Sequence, residues 1–179
     1  MHRSEREFDY DASYLREILE VSPEALVRFG LAGSLGRYRR DVTVEVFYAA
    51  SLTGVIRADC GPCAQLVTRF AEKDGVDPAL LRALVAGELA GLPEPVRLAA
   101  EYADAVLSRA PTIDALKEQL EARFGPRGVI SLAFAILGSQ LYPTLKVALG
   151  HGRTCVAVEV AGEPVRPGGG PREGREAYA

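Results

Sequence analysis

An all-α fold is what this sequence predicts, and three observations predict it. Capping side chains precede prolines at Ser22-Pro23-Glu24 and Asp77-Pro78-Ala79, where a missing amide hydrogen costs nothing. Apolar residues recur at helical spacing through most of the chain, and only "RTCVAVEVA" (153 to 161) alternates convincingly as a strand.

Taken in order, the caps start helices at about 23 and 78. The stretch "DVTVEVFYAASLTGVI" (41 to 56) opens with Val42, Val44 and Val46 in strand-like alternation but continues with alanine, leucine and isoleucine at helical spacing, so it is read as a helix. "CAQLVTRFAEK" forms the next, with Leu66, Val67 and Phe70 facing inward and Asp59 as its cap. "EPVRLAAEYADAVLSR" (94 to 109) is alanine-rich and ends before Pro111. Thr112 caps a segment in which Ile113, Leu116, Leu120 and Phe124 share a face, and Gly125-Pro126 then breaks the chain.

The following run, "GVISLAFAILGSQLYPTL" (128 to 145), carries no charge. Its clearly apolar part is only about ten residues, against the roughly 20 that span a bilayer, so it predicts a buried helix and no membrane. A helix apolar on all faces is enclosed by its own domain or by neighbouring subunits, which makes a homo-oligomer the expectation.

At 179 residues the chain suits one domain, 1–161, followed by a flexible Gly/Pro-rich tail, 162–179. A formal net charge of −3 and a pI near 5.5 offer no electrostatic reason for a nucleic-acid partner. The start, "MHRSEREFDYDAS", is charged throughout and has no apolar signal segment, so a cytoplasmic location is expected. There thiols are mostly kept reduced.

Against that background "IRADCGPCAQL" (56 to 66) stands out, because it holds two of the chain's three cysteines. Cys60 and Cys63 open a helix whose first-turn amides favour thiolate over thiol. Two intervening residues let both sulfurs face one side of that turn, so one can attack a disulfide or peroxide and the other resolve the product. Pro62 stiffens the turn and Gly61 leaves the approach open. By this argument Cys60 is the more exposed sulfur. The alternatives are two small buried residues and half of a metal site. For a metal the chain offers only Cys155, His2 and His151 beyond the pair, with no second ligand pair at suitable spacing; no metal and no cofactor is expected. Cys155, in an apolar run, is read as a core residue.

"CGPC" also matches the thioredoxin active site, but that fold alternates strands with helices and usually carries a tryptophan just before the motif. Here there is no tryptophan and helix-like sequence follows. A long helix, then Cys-x-x-Cys at the start of the next, then "FAEKDGVDPALLRAL", resembles the alkylhydroperoxidase-D-like branch of the carboxymuconolactone decarboxylase superfamily over about residues 20 to 150. The resemblance implies a compact all-α fold assembled as trimers or hexamers. It also implies reduction of a peroxide or disulfide substrate through a redox-active disulfide, recharged by an external dithiol reductant. Peroxidase members place a glutamate twelve positions before the first cysteine and a histidine four after the second as a proton relay, with the second cysteine meeting the peroxide. Here those positions hold Tyr48 and Val67.

Candidate site residues are therefore Cys60, Cys63, Tyr48 and Glu45, the last lying one helical turn before Tyr48 on nearly the same face. Each has a bland alternative: Glu45 solvating a first turn, Tyr48 packing with a satisfied hydroxyl. His151, between two glycines, is either a surface residue or a base brought in by the fold. Arg37, Arg39 and Arg40 could attract an anion or form a solvated face. Glu88 and Glu101 interrupt apolar faces. A non-enzymatic redox sensor of the same fold is the competing function, and a small-molecule decarboxylase or isomerase the third.

Overall fold

A computed structural model describes residues 10–168. Among them are seven helices: α1 (Ser13–Val21), α2 (Pro23–Leu35), α3 (Val44–Arg57), α4 (Gly61–Lys73), α5 (Pro78–Ala86), α6 (Glu94–Ser108) and α7 (Ile113–Ala148). A 3-10 turn, Leu89–Gly91, precedes α6, and β1 (Val158–Val160) pairs antiparallel with β2 (Glu163–Val165). The all-α architecture read from the sequence is the one observed.

Local chemistry sets most of the boundaries. Ser22 Oγ accepts from the Ala25 amide at 3.2 Å and Asp77 Oδ1 from that of Ala79 at 2.6 Å, so both proline-led helices start at their expected caps. Thr43 Oγ1 does the same for Val46, and the ambiguous valine run resolves as the start of α3. One expected signal is absent: Thr112 makes no side-chain cap to α7. Helix α6 stops before Pro111 as expected but is closed by Arg109, its C-cap, in a left-handed conformation with φ 55°. Gly125, at φ 67° and ψ 175°, kinks α7 where the Gly-Pro break was expected.

Helix α3 is the centre of the domain. From Val46 to Leu52 every residue is buried, and α4, α5, α6 and α7 pack around it. Leu52, Leu81, Leu120 and Leu132 are fully buried, each contributing about 2 kcal/mol of transfer free energy. The α3–α7 crossing is close because Gly54 faces Ser139; Gln140 Nε2 donates to the Gly54 carbonyl at 2.7 Å and locks the pair in register.

The apolar segment 128–145 is a helix, as expected, but its own chain encloses only one side. Leu132, Ala135, Ile136 and Ser139 are buried, whereas Ile130 and Leu137 are about half exposed. Helix α2 has no fully buried residue, and Val27 and Leu31 lie open on it.

The hairpin corrects the expected boundary at 161/162, because β2 belongs to the folded unit. Val158 and Val160 are fully buried, and the Gln65 side chain both donates to the Glu159 carbonyl at 3.0 Å and accepts from its amide at 2.8 Å, fastening β1 to α4. The remainder of the expected tail, 169–179, lies outside the described residues, as does the charged start, 1–9.

Candidate active site

The turn between α3 and α4 is built to hold a short cysteine loop. Asp59 takes a left-handed conformation, φ 52°, and instead of capping α4 it turns away, its Oδ1 accepting from the Cys155 amide at 2.9 Å. Cys60 becomes the N-cap residue, with Gly61 and Pro62 in the first turn. The Gly61 amide donates to the Arg153 carbonyl at 3.1 Å, and a Cβ on Gly61 would stand 2.6 Å from the Thr154 carbonyl oxygen. Segment 153–155 therefore lies directly on the loop. Gly61 does not leave an approach open; it makes room for this cover.

Cys60 and Cys63 are joined by a disulfide, their Cα atoms 5.2 Å apart. Each is 4 % exposed, so Cys60 is not the more accessible sulfur that its place at the helix terminus implied. What separates the two is their surroundings. Cys63 borders a cavity of about 700 Å³ between α1, α2, α3, α4 and α7, and Cys60 does not. Cys155 is free, buried against the same loop, its thiol pushed up to about 11 by burial and secondarily by Asp59. That makes it a poor nucleophile at neutral pH.

Tyr48 and Val67 both line the cavity beside Cys63, so the two positions singled out on either side of the cysteines share one space with a sulfur. The Tyr48 hydroxyl donates to Asp74 Oδ2 at 2.9 Å. Burial, then that hydrogen bond and the Asp74 charge, raise the phenol well above its ordinary value, with Arg39 opposing. Asp74, at the far end of α4, was missed from the sequence; only its place after an amphipathic helix marked it, and that looks like any helix end.

Glu45 is not part of this constellation. It sits in the first turn of α3, does not line the cavity, and has no hydrogen bond or ion pair among the described residues. His151 is also elsewhere: Nε2 meets Glu17 Oε2 at 2.8 Å and Nδ1 lies 3.4 Å from Ser13 Oγ. Glu101 pairs with Arg97, and Glu88 is exposed. Arg37 and Arg39, by contrast, reach the cavity; Arg40 does not. Among the described residues no three His, Cys, Asp or Glu side chains converge as a metal site would require.

Tyr10 and Tyr14 also line the cavity, hydroxyl to hydroxyl at 3.0 Å. Burial raises both phenols, Tyr10 to about 12. Beneath them Lys146 is 3 % exposed, its Nζ 4.3 Å from the Tyr10 ring centroid and 4.9 Å from that of Tyr14. Burial pulls its amine down to about 8 although Asp11 favours the charge. Between pH 8 and 10.5 the unfolded chain thus binds a proton that the folded chain does not, so folding stability rises with pH across that window. At pH 7 the desolvation cost is fully present. Lys146→Met is expected to stabilise the protein by about 1–2 kcal/mol at pH 7, after loss of the ring contacts, and by much less at pH 10. Urea unfolding at both pH values checks this; an equal difference at both would contradict the burial account.

No protein-family model matches the chain, and no match was found among curated proteins or solved structures. The site's chemistry therefore rests on its own atoms. Among the described residues these are a disulfide-forming Cys-x-x-Cys pair with one sulfur on a cavity, a phenol–carboxylate pair on the same wall, and three cationic side chains on the lining, Arg37, Arg39 and Lys73.

Proposed function

We propose that the protein is a thiol–disulfide oxidoreductase, with peroxide reduction as its reaction and Cys63 as the attacking sulfur. The observation that carries this is the asymmetry of the pair: Cys63 meets the cavity, while Cys60 stands behind it and Gly61 is covered by segment 153–155. In the reduced protein the Cys63 thiolate attacks the terminal oxygen of a hydroperoxide. The O–O bond breaks, the alcohol leaves with a proton, and a sulfenic acid remains on Cys63. Cys60, deprotonated, attacks that sulfur and displaces hydroxide, which takes a proton to become water as the disulfide forms. An external dithiol returns two electrons and two protons through a mixed disulfide. Tyr48, hydrogen-bonded to the Asp74 carboxylate, is the proton-handling pair nearest in kind to the glutamate–histidine relay of alkylhydroperoxidase-D-like proteins.

This reading places the protein among alkylhydroperoxidase-D-like enzymes of the cytoplasm. It also includes homo-oligomers, trimers or hexamers, joined through the apolar surface that Val27, Leu31, Ile130 and Leu137 leave open. A second reading, a redox sensor without turnover, is favoured by one observation: Val67 cannot move a proton where the relay histidine would stand.

Thiol counting followed by an assay separates them. The oxidised protein should show one thiol, Cys155, and that one only after denaturation. Dithiol reduction should raise the count to three. Consumption of cumene hydroperoxide with dihydrolipoamide supports the enzyme; reversible loss of two thiols without turnover supports the sensor. A pair that neither reduces nor re-forms would remove both.

A further inference from the structure

We infer that the cavity beside Cys63 binds an amphipathic carboxylate, its apolar chain along the walls and its anionic head on Arg37 and Arg39. This rests on the reading of that cavity as the reaction site, and it names the class of molecule that Cys63 meets there.

The cavity's size is that of a small-molecule site: about 700 Å³ holds roughly twenty water-sized groups. Its walls are mainly apolar, with Leu15, Phe47, Val55, Leu66 and Ala135 among the contributors. An apolar chain is thus favoured by desolvation, and a fully polar ligand is not.

The polar groups are unevenly placed. Arg37 and Arg39 are exposed yet line the cavity, which sets them at its mouth, and neither has an ion-pair partner among the described residues. Their charges reach the phenols inside, Arg37 acting on Tyr142 and Arg39 on Tyr48. The loop that carries them is pinned: Ser131, fully buried, accepts from the Arg40 amide and donates to the Arg40 carbonyl, both at 2.8 Å. Two guanidinium groups are therefore held at the entrance by a fixed backbone, which is the arrangement that recognises a carboxylate by charge-assisted hydrogen bonds.

A cationic head has no such welcome. Among the described residues Asp74 is the only carboxylate on the lining, and the Tyr48 hydroxyl already donates to it. Nor is the positive mouth a consequence of a generally basic protein, because the whole chain carries a formal charge of −3.

The test is titration calorimetry with sodium decanoate and with decylamine hydrochloride. Both go into the oxidised wild-type protein and into the Cys60→Ser/Cys63→Ser protein. Decanoate is expected to bind both proteins alike and decylamine to bind neither comparably. Arg37→Ala/Arg39→Ala should weaken decanoate by about tenfold. Raising sodium chloride from about 20 to 300 mM on the wild type should weaken it several-fold, a readout that needs no variant to fold. Decylamine binding as tightly as decanoate, decanoate binding unchanged by the double arginine variant or by salt, or no decanoate heat up to millimolar concentration would each overturn the inference. Because the protein without the Cys60–Cys63 pair is part of the titration, decanoate binding beside a dithiol that proves inactive in the peroxide assay would sink the redox reading and leave this one standing.

Discussion

With cumene hydroperoxide and dihydrolipoamide, the Cys63→Ser protein is expected to lose turnover by roughly 10³-fold or more, because the nucleophile itself is removed. Cys60→Ser should fail differently. Its Cys63 still faces the cavity and still attacks once, so a stoichiometric burst is expected, with the sulfur left as a sulfenic acid or a mixed disulfide that lacks its internal resolving partner. Rapid-mixing consumption of peroxide, with mass spectrometry of the product, distinguishes the two. A burst from Cys63→Ser and none from Cys60→Ser would reverse the assignment and show that burial of the Cys60 side opens in solution. Tyr48→Phe provides a finer measure: loss of one proton-handling group should lower turnover by about 10- to 100-fold, with little change in fold because the ring stays in place.

The largest stability effect is expected at Gly54. A Cβ there would lie 1.9 Å from Ser139 Oγ and 2.6 Å from Ser139 Cβ, and the second of these cannot be relieved by rotating a hydroxyl. Gly54→Ala gains about 1 kcal/mol of helix propensity. Forcing α3 and α7 apart costs more, because the Gly54–Gln140 hydrogen bond and the packing of Leu52, Leu132 and Ile136 are set by that spacing. A net loss of about 2 kcal/mol is expected from denaturant unfolding. Removing the partner hydroxyl with Gly54→Ala/Ser139→Ala should recover only part of it, since Cβ on Ser139 is retained by alanine. Full recovery would mean that the helices are not in backbone-limited contact.

The elements that could be read in advance are those whose causes lie within a few residues. Ser22 and Asp77 cap helices because their oxygens reach amides two or three positions on, and Gly125 breaks α7 because glycine alone enters that backbone region freely. Where a local rule competed with a distant contact, the distant contact won. Asp59 had the composition of a cap and went instead to the Cys155 amide, 96 positions away; the run after 161 had the composition of a tail and paired as β2 on a hairpin held by Gln65.

The candidate site divides in the same way. The cysteine spacing and its place at the head of a helix were legible, because two intervening residues and a helical turn fix where side chains point. Glu45 and Tyr48 lie one helical turn apart on nearly the same face of α3, and only the packing of α4 against that face brought Tyr48 to Asp74 and left Glu45 apart. The arginines of "RYRRD" could not be told from a solvated cluster until Ser131 on α7 fixed their loop beside the cavity.

What the sequence by itself determined is therefore a helical chain with a cysteine pair at one helix start, since backbone sterics, capping and side-chain periodicity act over a turn or two. Which sulfur meets the cavity, which carboxylate stands beside Tyr48, and which charges ring the entrance were decided only when helices far apart in the chain packed together. Those relations depend on the angles and spacings between helices, set by close contacts such as Gly54 on Ser139, and no local pattern encodes them.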